Sequence, residues 1–367
     1  MSADRESRIE ALVRPQIRAL QAYHVPPAED LIKLDAMENP FPWPGELAQA
    51  WAECLRGVEL NRYPSPHPPE LASMLARQAG VPPGCDLLLG NGSDELIQLI
   101  DLCLARPGAK VLLPTPTFSM YSLIARVAGL QVVEVPLRAD FNLDLPAMLA
   151  AIEQQQPALI YLACPNNPTA RLYDVADLRA VLEAAPGLVV VDEAYFPFAG
   201  RSVLPWLLEF EHLLVLRTLS KVGLAGLRLG YLIGHAAWLY EFDKARLPYN
   251  ISTLTQLSAR FALEHAASLA HQAGQLREQR RWLSEALHAV PQVEVFPSDT
   301  NFMLLRLPAG RAPAAHEALL RAGILVKCVH GSHPLLADCL RVTVGTPIEN
   351  QALVKALGNV FEQAIQA

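Results

Sequence analysis

The chain has 367 residues, 51% of them hydrophobic and 18% charged, with a formal net charge of −7. This is an ordinary globular composition with length for about two domains, and the mixed charges argue against nucleic acid or a polybasic membrane surface as partner. The cysteines at 54, 85, 103, 164, 328 and 339 form no Cys-x-x-Cys pair, no apolar h-region follows the charged N-terminus, and no apolar run nears the ~18 residues of a spanning helix, so a reduced, cytoplasmic location is expected.

Apolar periodicity predicts an amphipathic helix over 5–20. Tyr23 and a short apolar piece, Leu31-Ile-Lys-Leu-Asp35, follow. Asn39-Pro-Phe-Pro-Trp-Pro44 cannot be regular structure, because each proline removes a donor and fixes φ. Helices are expected over 46–55 and 70–78, with a second proline-stiffened stretch, Asn61 to Pro69, between them. Strands at 86–89, 110–113, 131–135, 158–163, 188–191, 212–217 and 229–233 then alternate with helices at 95–105, 120–128, 146–155 and 175–184. That alternation implies an α/β fold: a mostly parallel sheet sandwiched by helices, with ligands beyond the carboxyl ends of its strands. After Tyr249 the pattern changes to one or two long helices over 253–289, strands at 293–296, 301–307, 324–329 and 339–344, and helices at 314–322 and 350–363, a smaller α+β domain. The expected division is an N-terminal arm over 1–46 joining the small domain, a large domain over 47–260 and the small domain over 261–367.

The conspicuous polar groups cluster at strand ends. Gly90-Asn-Gly-Ser-Asp-Glu95 is a glycine-rich turn opening a helix, either an anion seat of free N–H groups or a plain capped turn. Asn167 is held between prolines in Pro165-Asn-Asn-Pro168. Asp192 closes the apolar run Leu188-Val-Val-Val191, and a carboxylate there needs a cationic partner. A protonated pyridine nitrogen, an arginine or a metal would each serve. Arg217-Thr-Leu-Ser-Lys-Val-Gly-Leu-Ala-Gly-Leu-Arg-Leu-Gly230 packs hydroxyls, a lysine, glycines and an arginine into one loop. Such a loop can hold a phosphate and place an amine beside it, which suits a lysine that bonds a phosphorylated aldehyde.

In this order these motifs resemble the fold-type-I pyridoxal-phosphate aminotransferases over nearly the whole chain. Leu34-Asp-Ala-Met-Glu-Asn-Pro40, Asn61-Arg-Tyr-Pro64, Cys164-Pro-Asn-Asn-Pro-Thr169, Val191-Asp-Glu-Ala-Tyr195, Ala225-Gly-Leu-Arg228 and Leu340-Arg-Val-Thr-Val-Gly345 are similar, within that family, to the histidinol-phosphate subfamily. The resemblance implies a two-step exchange of an amino group between histidinol phosphate and 2-oxoglutarate, in histidine biosynthesis. It implies pyridoxal 5′-phosphate as cofactor and a homodimer. Lys221 would bond the cofactor aldehyde and carry the proton, and Asp192 would pair with the pyridine N–H. Tyr195 and Asn167 would hydrogen-bond the ring O3′, and Phe118 would stack on the ring. Gly92, Ser93, Asp94, Thr218, Ser220 and Arg228 would hold the phosphate, joined by Tyr63 from a neighbouring subunit. Arg341 would grip the substrate phosphate and the glutamate carboxylate, with Lys327, Tyr23 and Asn301 nearby.

Four departures bear on the substrate contacts. Lys327 stands where the family usually has a second arginine, and so lacks the bidentate fork. Met37 replaces an asparagine, Ala170 replaces a glycine, and the loop from Lys221 to Arg228 is one residue shorter than the common form. A phosphothreonine decarboxylase, an aromatic amino-acid transaminase and a non-catalytic cofactor-binding regulator are the competing readings. The intact lysine and the absence of a DNA-binding extension argue against the last. Cys328-Val-His-Gly-Ser-His333 has too few further ligands for a metal site.

Overall fold

The computed structural model describes residues 3–22 and 27–365; Tyr23 lies outside the described residues. The strands are β1 (Ile32–Leu34), β2 (Cys85–Asn91), β3 (Lys110–Thr115), β4 (Gln131–Pro136), β5 (Leu159–Ala163), β6 (Leu188–Asp192), β7 (Leu213–Thr218), β8 (Leu229–His235), β9 (Glu294–Val295), β10 (Phe302–Arg306), β11 (Ile324–Cys328) and β12 (Cys339–Thr343). They form a seven-stranded sheet in the order β2-β8-β7-β6-β5-β3-β4 and a five-stranded sheet in the order β1-β11-β12-β10-β9.

In the large sheet only β8 runs against its neighbours, β2 and β7. The central strands read as unbroken apolar runs because both faces are buried. Ile160, Val189, Val191 and Val215 point into one core, while Leu159, Tyr161, Val190 and Leu216 point into the other. The parallel strands therefore end along one edge, and the polar turns of the sequence gather there.

In the small sheet the two faces differ. Met303, Leu305, Val326, Leu340 and Val342 pack with Leu283, Leu353 and Leu357 of the covering helices. The opposite face, carrying Lys327 and Arg341, looks toward the large sheet. β1 joins this sheet by parallel pairing with β11, Lys33 opposite Leu325.

The expected helix over 5–20 is instead two, Ala3–Leu12 and Pro15–Arg18. Pro15 lacks an N–H and forces Arg14 out of the helical region, to φ −52° and ψ 135°. Ala236–Asp243, where the sequence suggests no element, is a helix whose first turn is capped by the His235 imidazole accepting from Ala237 N at 3.3 Å. The helical stretch after Tyr249 divides at His265 into Thr253–Glu264 and Ala266–His288. The first packs on Gly45–Leu55 and Pro69–Ala79 of the large part, so the expected division at 260 falls inside it.

Candidate active site

β7 and β8 are antiparallel neighbours with Thr218 opposite Gly230, so the segment between them is a broad hairpin at the sheet edge. Two short 3-10 turns, Ser220–Val222 and Ala225–Leu227, shape it and leave Lys221 pointing into a cavity of about 230 Å³. The Thr218 hydroxyl donates to Ser220 Oγ at 2.9 Å and accepts from Ser220 N at 3.1 Å. On the next strand over, the chain turns through Gly92 at φ 83° into the helix Ser93–Leu104. No side chain among the described residues caps this helix; Glu95 instead reaches back to Asn91 N at 2.6 Å. The N–H groups of Ser93 and Asp94 are thus offered to an anion.

Two glycines make this junction possible. A Cβ on Gly230 would lie 2.6 Å from Ser93 N, and one on Gly92 would lie 2.6 Å from Arg228 Nη2. Arg228 itself holds a left-handed φ of 49° and lies 3.9 Å from the Asp94 carboxylate. Ser93, Asp94, Thr218, Ser220, Lys221 and Arg228 all line the cavity, so hydroxyls, helix N–H groups and a guanidinium that could hold an anion meet in it.

Asp192 lies at the other end, 6% exposed. It accepts from Tyr121 Oη at 2.7 Å and from Ala194 N at 2.9 Å, and it has no ion-pair partner among the described residues. Burial pushes its carboxyl up to about 6, against the opposing pull of the Tyr121 hydrogen bond. The arginine that could have neutralised it, Arg217, pairs with the next residue: Arg217 Nη2 and Nε lie 2.8 and 3.0 Å from Glu193 Oε2. That pair is buried on the far side of the strand, as the two-residue alternation of β structure requires. Asp192 thus keeps its charge available to something in the cavity. Tyr121, which the sequence reading missed, stacks on Tyr161 with ring centroids 4.7 Å apart. Its position three residues after Phe118, one helical turn on, was the available signal.

Lys221 Nζ donates to the Ala36 carbonyl at 3.3 Å and sits 5.8 Å from the centre of the Tyr195 ring. Burial, and after it the nearby Arg341 guanidinium, lower its amine to about 8. Burial raises the Tyr195 hydroxyl well above its ordinary value. Asn167 donates from Nδ2 to Tyr195 Oη at 3.4 Å, while its Oδ1 accepts from Arg341 Nη1 at 2.7 Å. Arg341 Nη2 donates to the Asp35 carbonyl at 2.6 Å. One connected set therefore ties the small sheet to the large one across the cavity.

A second cavity, of about 480 Å³, adjoins the first through the shared residues Ala36, Met37, Phe118 and Asn167. Lys33, Lys327 and Arg341 line it. Asn301 is not among the residues lining either cavity: it is fully buried behind Met37, donating to the Met37 carbonyl at 2.9 Å. Tyr63 is 82% exposed, stacks on Tyr249, and lies outside the cavities of its own chain that hold Lys221 and Arg341. The His330 and His333 imidazoles accept backbone N–H bonds from Asp338 and Leu335. No cluster of three His, Cys, Asp or Glu able to hold a metal occurs among the described residues. Met37 and Ala170 both have left-handed backbones, φ 55° and 64°, which accounts for the asparagine and glycine usual at those places.

The family profile for class I and II aminotransferases matches residues 29–357, and the chain belongs to that family. It is 52% identical over 352 residues to histidinol-phosphate aminotransferase 2 of Nitrosococcus oceani, covering 96% of this chain and 98% of that protein. Identity to histidinol-phosphate aminotransferase 1 of Burkholderia lata is 53% over 347 residues, 94% of this chain and 97% of that protein. Among solved structures, the histidinol-phosphate aminotransferase of Sinorhizobium meliloti in complex with pyridoxal-5′-phosphate superimposes with a TM-score of 0.86 at 26% identity, over 96% of this chain and 98% of that one.

Proposed function

We propose that the chain is a pyridoxal-phosphate-dependent aminotransferase that exchanges the amino group of histidinol phosphate with 2-oxoglutarate, acting as a cytoplasmic homodimer in histidine biosynthesis. The observation that carries the reading is one cavity holding three complementary features: a phosphate seat, an amine lowered to about 8, and a buried carboxylate with no cation of its own. Those three features fit the phosphate, the aldehyde and the ring nitrogen of pyridoxal phosphate. The substrate assignment rests on the named relatives at 52 and 53% identity.

When bound, pyridoxal phosphate supplies an aldehyde that takes up an amino group and a ring that accepts the electron pair released at the substrate carbon. Asp192 would hold the proton on the ring nitrogen, keeping the ring cationic. Lys221, its amine near neutrality because burial disfavours the ammonium, would take and return the proton at the substrate's amino-bearing carbon. Asn167 has only its amide N–H₂ to offer the ring oxygen, since Arg341 holds its carbonyl, and the Tyr195 hydroxyl would join it. Phe118 would cover the ring. Ser93, Asp94, Thr218, Ser220 and Arg228 would bind the phosphate, and Tyr63 would reach the phosphate of the partner subunit. Arg341 and Lys327 would bind the anionic arm of each substrate in turn.

The test is to add histidinol phosphate, without any keto acid, to the cofactor-loaded protein and follow the cofactor absorbance. A change that 2-oxoglutarate then reverses is expected. An unchanged spectrum would overturn the substrate assignment.

A further inference from the structure

The two amino donors of the proposed reaction differ in charge where it matters. A phosphate monoester carries about −1.5 to −2 at neutral pH. The glutamate carboxylate at that site carries one negative charge. One anion site must serve both, and two fixed cations, Lys327 and Arg341, cannot match both equally.

The face of the small sheet toward the large one holds a further cation. Lys33 pairs with Leu325 across the parallel β1–β11 ladder, and Lys327 pairs with Arg341 across the antiparallel β11–β12 ladder. Paired residues in a ladder share a face, and so do residues two apart on one strand. Lys33, Lys327 and Arg341 therefore lie on one face of three adjacent strands, and all three line the 480 Å³ cavity. Lys33 sits between two carboxylates of unlike burial, the buried Asp35 and the half-exposed Glu38. Its ammonium lies 2.5 Å from Glu38 Oε2 and 3.2 Å from Asp35 Oδ1, and the Glu38 side chain is 46% exposed. The flexible four-carbon stem of Lys33 can exchange Glu38 for an incoming anion at small cost while staying beside Asp35, because a half-exposed ion pair is weak and a buried one is not given up.

We propose that Lys33 is a substrate-specificity residue, resting on the reading above: keeping its contact with Asp35, it leaves Glu38 to bind the dianionic phosphate arm and stays with Glu38 when the singly charged carboxylate of glutamate occupies the same site. The anion wall thus presents three cations to histidinol phosphate and two to glutamate. Glu38 is the counter-charge that keeps the wall from over-binding glutamate, and its own exposure lets water take over when Lys33 departs.

The two half-reactions separate this role from a structural one, because each starts from the same cofactor-loaded protein and is read by the same absorbance change. Lys33→Gln should weaken the apparent affinity for histidinol phosphate about tenfold more than that for glutamate, the scale of one charge-assisted hydrogen bond. Lys33→Arg should restore most of the difference. Inorganic phosphate, which competes with histidinol phosphate at this wall, should lose about tenfold in potency in Lys33→Gln, a readout that needs no turnover of phosphate. Equal losses for both amino donors would show that Lys33 merely holds β1 and Glu38 in place, and equal affinities to the wild type for both donors and for inorganic phosphate would show that it does not touch the anion; either overturns the proposal. Failure of the underlying reading looks different: the wild-type protein would respond to glutamate and not to histidinol phosphate.

Discussion

The cavity has two unlike walls. The large-sheet wall is made of strand ends buried on both faces, and its groups are already committed: Asp192 to Tyr121, Thr218 to Ser220, and Glu193 to Arg217 behind them. The small-sheet wall carries cations on half-buried strand positions, and one of their partners, Glu38 on Lys33, is a side chain that water can reach. The difference is one of reorganisation. Proton transfer needs groups whose positions and proton affinities are set before the substrate arrives, and burial does both. Accepting two substrates at one anion site needs partners that can be exchanged, which exposure allows. On the proposed reading, chemistry and specificity are thus divided between the two sheets.

The sharpest way to break this comparison is at Lys221. Lys221→Ala should lower turnover roughly a thousandfold or more, the upper range for loss of a general acid–base group. It should still bind pyridoxal phosphate through the phosphate seat, but borohydride should no longer fix the cofactor to the protein. Turnover within tenfold of the wild type would sink the role given to this wall. Next is the rigid backing. Arg217→Met strands the Glu193 carboxylate, 2% exposed, without its cation and should destabilise the fold by about 3–5 kcal/mol, seen in urea unfolding. A near-neutral result would mean that the large-sheet wall is less committed than its contacts suggest.

A coupling between the walls gives the third test. Lys221 is lowered to about 8 first by burial and second by Arg341. In the cofactor-free protein, capture of pyridoxal phosphate should accelerate as pH rises through about 8, where the amine loses its proton. Arg341→Gln removes a repelling cation and should move that midpoint upward, as measured by stopped-flow absorbance; an unmoved midpoint would separate the two walls electrostatically. The sign for stability follows the same shift. The folded amine releases its proton at about 8 and the unfolded one at the ordinary 10.5, so the cost of burying the ammonium is fully present below about pH 8 and is relieved between these values. The smallest effect concerns the backbone on which both walls rest. Ala170→Gly relieves a left-handed alanine at φ 64° and should gain up to about 1 kcal/mol of stability, read as a higher urea midpoint. A loss would mean that chain entropy outweighs the strain there.

Much of the large-sheet wall was legible in the chain, because its groups follow strands within a few residues. Asp192 closes β6, Lys221 follows β7 by three residues, and the turn at Gly92 follows β2 directly. Two-residue and helical periodicities, with glycine and proline as punctuation, locate such ends from sequence alone. The resemblance to the aminotransferases then assigned roles to positions that periodicity had only placed. Ser93, Thr218, Ser220 and Arg228 were in view for the same reason.

What the chain alone left open was which of two neighbouring carboxylates receives the arginine. Asp192 and Glu193 are adjacent in sequence, yet strand alternation sends one to the cavity and the other to Arg217 on the far face. Tyr121 as the partner of Asp192 likewise depends on how a helix docks onto β6. The burial of Asn301 against the Met37 carbonyl, and the shared face of Lys33, Lys327 and Arg341, depend on contacts between segments almost 300 residues apart. Local sequence determined the strand ends and the chemistry they carry, since a few residues suffice to specify a turn. Tertiary structure decided the counter-charges and the anion wall, since electrostatic partners are chosen by distance in space, to which sequence separation is no guide.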